Sequence, residues 1–174
     1  MNEICLKNIA ISTTEPNWDR EKINRWWSPS QQLIKSIRQY QKWRNYNGII
    51  SRFCYFYVLQ HRFWSAIAGA DIPVNCQLGG GLKLPHPNGI VIHPEASIEV
   101  NCLIFQQVTI IKGVKIGSNV NIGAGAKIIR PVSIGDRASI GANAVVVNDV
   151  PANTIAMGIP AKNISKDLNI ELKD

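Results

Sequence analysis

His86 is the residue of this 174-residue chain best suited to moving a proton. It stands between Pro85 and Pro87 in the stretch Leu84-Pro-His-Pro-Asn-Gly-Ile-Val91, where both prolines stiffen the backbone around it. An unperturbed imidazole titrates near pH ~6.5, so it can take a proton from a hydroxyl at neutral pH. Asp71, fifteen residues upstream, is the acid to consider beside it, although taken alone it reads equally as a turn residue. No serine or cysteine occupies a nucleophile-elbow motif, so no covalent enzyme intermediate is expected. His93 lies before Pro94 and reads as a turn residue, and His61 as a structural one. The four cysteines, Cys5, Cys54, Cys76 and Cys102, form no Cys-x-x-Cys pair, and no metal site is expected.

What must hold His86 is a six-residue repeat. Aliphatic residues open successive hexads at Ile72, Leu78 and Leu84, then at Ile92, Ile98, Ile104, Ile110, Ile116, Ile122, Ile128, Ile134, Ile140 and Val146. Four places after each opener comes a second small or aliphatic residue, among them Cys76, Leu82, Ala96, Cys102, Val108 and Val114. Such a period is the mark of a β-helix, whose stacked coils bury a continuous apolar column that no single hexad could bury alone. We expect the opener and its i+4 partner to face inward from the same short strand, with glycine and polar residues at the corners. Only the step from Leu84 to Ile92 is eight residues long, and His86 lies inside it. Insertions in solenoids gather on one face, often the binding face.

The repeats resemble the hexapeptide-repeat acyltransferases, and more closely the serine acetyltransferase branch. The similarity runs through Ala70-Asp-Ile-Pro, the His86 stretch, Gln107-Val-Thr-Ile, Ile122-Gly-Ala-Gly-Ala-Lys-Ile and Gly158-Ile-Pro-Ala-Lys162. It implies a mainly β fold, a left-handed parallel β-helix of triangular section with three hexads per coil, preceded by helices. It implies an acetyl-CoA-dependent O-acetyltransferase of the serine acetyltransferase type, with a homotrimer as the working form. In that branch an aspartate fifteen residues before the histidine orients the ring, which gives Asp71 its role beside His86. The donor lies in a groove between neighbouring β-helices, so the resemblance implies Gly123, Ala124, Gly141 and Ala142 along the pantetheine arm. Pro160 and Lys162 then fall near the nucleotide end, where a lysine charge is useful. Corner turning would equally account for the glycines, and a solvated side chain for Lys162.

Two departures bear on the acceptor. Serine acetyltransferases carry an acid just before the histidine, where this chain has Pro85. They also insert a loop with an Arg-His pair after the Val-Thr segment, whereas Val108-Thr-Ile-Ile-Lys-Gly-Val-Lys115 runs straight through. A saccharide hydroxyl therefore stands as the alternative acceptor, and a non-catalytic trimeric scaffold as the second alternative. A hexapeptide-type carbonic anhydrase needs three histidine ligands, and the repeats hold only His86 and His93.

The division expected is a helical region over residues 1–70, the β-helix over 71–151 and a C-terminal segment over 152–174. Ser28-Pro29 reads as the start of a first helix and Asn47-Gly48 as its stop. A second stripe, Ile49, Phe53, Phe56, Val58, Phe63, Trp64 and Ile67, ends at Gly69. Trp18, Trp26 and Trp27 are expected to be packing groups, and Asn163 to Asp174 a short helix or frayed coil. Residues 1–70 hold ten Lys or Arg against four acids, and 71–174 nine against eight. That charge is assigned to a solvated helix face rather than to nucleic acid, with contact to a membrane surface as the lesser reading. In the serine acetyltransferases a longer helical region joins two trimers; the shorter one here makes the trimer the expectation and a dimer of trimers its extension. With no signal peptide and no clean spanning segment, a reduced cytoplasmic setting is expected.

Overall fold

The computed structural model describes residues 14–23, 25–44 and 51–165. Its centre is a parallel β-helix of about four coils with three flat faces. Gln77–Leu78 (β1), Ser97–Ile98 (β3), Lys115–Ile116 (β6) and Ser133–Ile134 (β9) form one face. Val91–Ile92 (β2), Thr109–Ile110 (β5), Lys127–Ile128 (β8) and Val145–Val146 (β11) form another. The third holds Leu103–Ile104 (β4), Asn121–Ile122 (β7), Ser139–Ile140 (β10), Thr154–Gly158 (β12) and Ala161–Ser165 (β13). From β2 to β11 ladder partners stand eighteen residues apart, as Val91 with Thr109, Lys115 with Ser133 and Asn121 with Ser139. Eighteen residues on three faces is three hexads per coil.

Every opener is buried, and aliphatic residues stack on one another from coil to coil, as Leu78 on Ile98 and Ile110 on Ile128. One expectation needs correcting. The turn falls between an opener and its i+4 partner, so those two lie on different faces. The pair that shares a strand is the i+4 residue with the next opener, as in Ala96-Ser97-Ile98, where Ala96 and Ile98 point inward and Ser97 outward. Two residues per side is all a hexad leaves once its corner is built.

The Pro29–Trp43 helix (α1) starts at Pro29 as expected, but Ser28 makes no side-chain cap bond. Its inward stripe is Leu33, Ile34 and Ile37. The Ser51–Ala68 helix (α2) packs against it. The expected inward stripe of α2 is corrected: Phe56, Phe63 and Ile67 are exposed, and His61, Trp64 and Ala68 face the core. The expected stop at Asn47-Gly48, the side chains of Ile49 and Phe53, and the environments of Cys5 and Cys54 lie outside the described residues. Trp18, Trp26 and Trp27 are all more than half exposed, yet Trp18 carries the Arg38 guanidinium over its ring, 5.6 Å from the centroid. Trp27 sits edge-on between Trp26 and the buried Trp64, with centroids 5.4 and 5.5 Å away.

Arg38 fastens the helices to the first coil. It donates to both carboxylate oxygens of Glu21 (3.0 and 2.8 Å) and to the carbonyls of Leu78 and Gly79 (2.6 Å each). Glu21 in turn accepts from the Leu82 N–H at 3.0 Å. At the other end, the chain does not fray after Pro160. β13 runs antiparallel to β12, pairing Met157 with Lys162 and Thr154 with Ser165, so Asn163 to Ser165 form a strand. Residues 166–174 lie outside the described residues.

Candidate active site

The two extra residues fall on one edge of the prism. Coil-to-coil pairing holds at Lys83, whose N–H donates to the Cys102 carbonyl at 2.9 Å, and resumes at Asn88, whose carbonyl accepts from Gln107 at 2.9 Å. Asn88-Gly89 is therefore the regular corner, stacked on Gln106-Gln107. Gly89 takes the left-handed turn conformation (φ 71°), as Gln107 does below it (φ 58°). Pro85 to Pro87 stand where the next coil has Phe105 alone, a surplus of two, and they lift His86 out of the wall into solvent. Pro85 and Pro87 have no N–H to leave unpaired in that excursion. Ile90, absent from the predicted core, is fully buried and fills the inward place before β2.

Asp71 forms the rung beside β2. Its N–H donates to the Ile90 carbonyl (2.8 Å) and its carbonyl accepts from Ile92 (2.9 Å). No hydrogen bond links its carboxylate to His86, and the two border different clefts, Asp71 sharing one with His61 and Arg62. His61 is buried and donates from Nε2 to the Ile72 carbonyl at 2.8 Å, which fixes its neutral tautomer. Burial holds its pKa below the usual value, partly offset by that bond. The Nδ1 of His93 accepts from the Glu95 N–H at 3.1 Å, the arrangement of a turn residue. Burial pushes the thiol of Cys76 up to about 12 and that of Cys102 up to about 11, away from thiolate chemistry.

The remaining predicted residues fall on the same edge as His86. Gly125 donates to the Gln106 carbonyl and Asn143 to the Ala124 carbonyl, both at 2.8 Å. The corners Asn88-Gly89, Gln106-Gln107, Gly123 to Gly125 and Gly141 to Asn143 thus stack in order. Beyond them β12 ends at Gly158, and Ile159-Pro160 turns the chain into β13 with Pro160 and Lys162 exposed. At about 4.8 Å per rung, the first and fourth corners are about 14 Å apart. Gly123 is explained by close approach rather than by turning: a Cβ there would lie 2.6 Å from the Ala142 nitrogen.

Residues 113–148 match the family described as bacterial transferase hexapeptide (six repeats), and residues 95–130 that described as hexapeptide repeat of succinyl-transferase. A serine acetyltransferase of Buchnera aphidicola is 28% identical over 179 residues, covering 97% of this chain and 68% of that protein. Among solved structures, the serine O-acetyltransferase of Brucella melitensis superposes with a TM-score of 0.69 at 31% identity over 80% of this chain. Residues 95–148 are thus similar to the repeats of hexapeptide transferases. A second structure, a serine acetyltransferase in complex with CoA, gives a TM-score of 0.68 at 31% identity, also over 80% of this chain. The chain spans 56% and 58% of the length of those two solved chains.

The N-terminal segment adds a wall that the repeat pattern did not announce. His86 opens onto a cleft of about 600 Å³ whose far side is made by Arg25, Trp27 and the start of α1, with Ile67 and Ala68 of α2 at its base. Ser30 ties the two sides together by donating to the Leu84 carbonyl at 2.5 Å. Gln106, one coil away on the His86 edge, has a buried side-chain oxygen with no hydrogen-bond partner. Neither Arg25 nor Trp27 belongs to the repeat, and their segment is brought here by contacts such as those of Arg38, Arg20 and Ser30 with the first coils.

Proposed function

We propose that this chain is an acetyl-CoA-dependent O-acetyltransferase of the serine acetyltransferase type, working as a cytoplasmic homotrimer, with His86 as general base. The observation that carries the reading is the single edge on which His86 stands in line with Gly123-Ala124, Gly141-Ala142 and Pro160. The small side chains of Gly123-Ala124 and Gly141-Ala142 leave the backbone of the later corners open to a long thin substrate, and the solved relative that holds CoA supports acetyl-CoA as that substrate. Lys162, exposed past the last corner, supplies a positive charge for a phosphate.

In this reading His86 takes the proton of an acceptor hydroxyl as its oxygen attacks the thioester carbon. Backbone N–H groups of the edge stabilise the tetrahedral oxyanion. When the C–S bond breaks, the imidazolium returns the proton to the departing thiolate, so the ring ends neutral. Asp71 is assigned the role of orienting that ring from the adjacent rung. Neither described cysteine serves as an acyl carrier, because both thiols are buried and held protonated.

The test is thiol release from acetyl-CoA in the presence of acceptor hydroxyls. His86→Ala is expected to lower kcat by about 10²–10⁴-fold, the usual weight of a general base, while acetyl-CoA binding measured by calorimetry stays within twofold. Asp71→Asn should lower kcat less and leave both KM values in place. Unchanged turnover in His86→Ala would remove the mechanism. A saccharide acceptor in place of L-serine is favoured by one observation: among the described residues the His86 cleft is lined by Arg25 and by no carboxylate.

A further inference from the structure

We infer that the cleft beside His86 takes an anionic saccharide, a sugar ring bearing a carboxylate or a phosphate, whose hydroxyl receives the acetyl group. The inference rests on the O-acetyltransferase reading above and names the acceptor class of that site.

The lining is the first argument. A free amino acid brings an ammonium group, which must exchange its hydration for an acidic partner or bear the desolvation cost. No Asp or Glu lines the cleft among the described residues. Glu21 is already committed to Arg38 and to the Leu82 N–H, and Asp71 borders a different cleft. The one charged side chain in the lining besides the titratable His86 is Arg25, which is exposed and makes no ion pair among the described residues. A guanidinium presents a planar fork that matches a carboxylate or a phosphate through two parallel bonds.

Shape is the second. Trp27 is 52% exposed, and its edge contact with the buried Trp64 at 5.5 Å fixes where its ring sits. A fixed, half-open indole offers an apolar plane to the C–H face of a pyranose, while its surroundings stay wet enough for hydroxyls. Asn88, at the regular corner beside His86, and Ser28, whose hydroxyl is not spent on capping α1, supply neutral hydrogen-bonding groups for those hydroxyls. The volume of about 600 Å³ falls in the range for a drug-sized ligand and exceeds the needs of one small amino acid.

The step balances without any further reactant. The sugar O–H proton passes to His86, a new C–O bond forms as the thioester C–S bond breaks, and the proton leaves on the thiol of coenzyme A.

The experiment uses the full chain with four acceptors: L-serine, glucose, a glucuronate-containing trisaccharide and UDP-glucose. Thiol release gives kcat and KM for each, and calorimetry without acetyl-CoA gives binding of each acceptor alone. We expect kcat/KM for one of the two anionic arms to exceed that for serine and glucose by about 100-fold; which arm wins identifies carboxylate or phosphate as the anion. Arg25→Gln should raise KM and Kd for that arm by about 10–100-fold, the loss of a charge-assisted bond, and leave KM for acetyl-CoA within twofold. Arg25→Lys should recover part of the loss, and Trp27→Ala should weaken every sugar arm. Preference for L-serine over every sugar, or an Arg25→Gln variant that binds the anionic arm normally, overturns the inference. Anionic-sugar binding that depends on Arg25 but yields no thiol upholds the cleft and sinks the acetyltransferase reading instead.

Discussion

Arg38→Met probes how the helical segment is held where it can wall the His86 cleft. The side chains of Arg38 and Glu21 are 18% and 8% exposed, so solvent screens their contact little. In the native chain three donors meet the Glu21 carboxylate: two from Arg38, at 3.0 and 2.8 Å, and the Leu82 N–H at 3.0 Å. Methionine keeps the volume of the arginine stem but leaves the carboxylate buried with one donor. The carbonyls of Leu78 and Gly79 lose their partners as well. An uncompensated buried charge of this kind costs about 3–5 kcal/mol. At about 2–4 °C per kcal/mol for a chain of this size, the melting point should drop by roughly 6–20 °C. Glu21→Gln combined with Arg38→Met leaves no buried charge, so the double variant should be at least about 1 kcal/mol more stable than Arg38→Met alone. Urea unfolding followed by circular dichroism and by tryptophan fluorescence would measure both. A loss below about 1 kcal/mol in Arg38→Met, or a double variant whose loss is the sum of the singles, would refute the account of this clamp.

Three further outcomes follow from the geometry. His61 is held neutral by burial, so its folded pKa lies below the unfolded value of about 6.5 and the unfolded chain binds the extra proton. Stability should therefore fall as pH drops from 7 through 6.5 toward the folded pKa, by at most about 1.4 kcal/mol per pH unit, and His61→Gln should flatten that slope in pH-dependent urea titrations. Cys76 and Cys102 should resist iodoacetamide at pH 8 and react once unfolded, since a thiol with a pKa of about 11 or 12 is almost wholly protonated there; site-resolved mass spectrometry checks it. Ile116→Ala, in the middle of a buried column, should cost about 2–5 kcal/mol by thermal unfolding.

The apolar columns were legible in the sequence because a hexad repeat encodes burial one-dimensionally: each inward place recurs at a fixed count. The same count exposed the His86 corner as the one place where it fails. The clefts were not legible, for reasons that differ residue by residue. The sequence of α2 is apolar on several sides, so its pattern could not say that Trp64 turns inward and Phe63 outward. Arg25 and Trp27 reach His86 only through contacts such as Arg38 with Leu78, forty residues apart in sequence. The β12–β13 hairpin carries a single buried side chain, Ala156, and so left no alternating signal to read.

An eighteen-residue register also makes the molecule a ruler with fixed graduations. Excising Ile110 to Lys127 would drop one storey and return every later side chain to its own wall, bringing Pro160 one step nearer His86. Excising only Ile110 to Lys115 would swing everything downstream by a third of a revolution, carrying Gly123 and Lys162 off the line they share with the histidine. The span such a protein can offer a long substrate therefore changes by whole storeys, and intermediate lengths are closed to it.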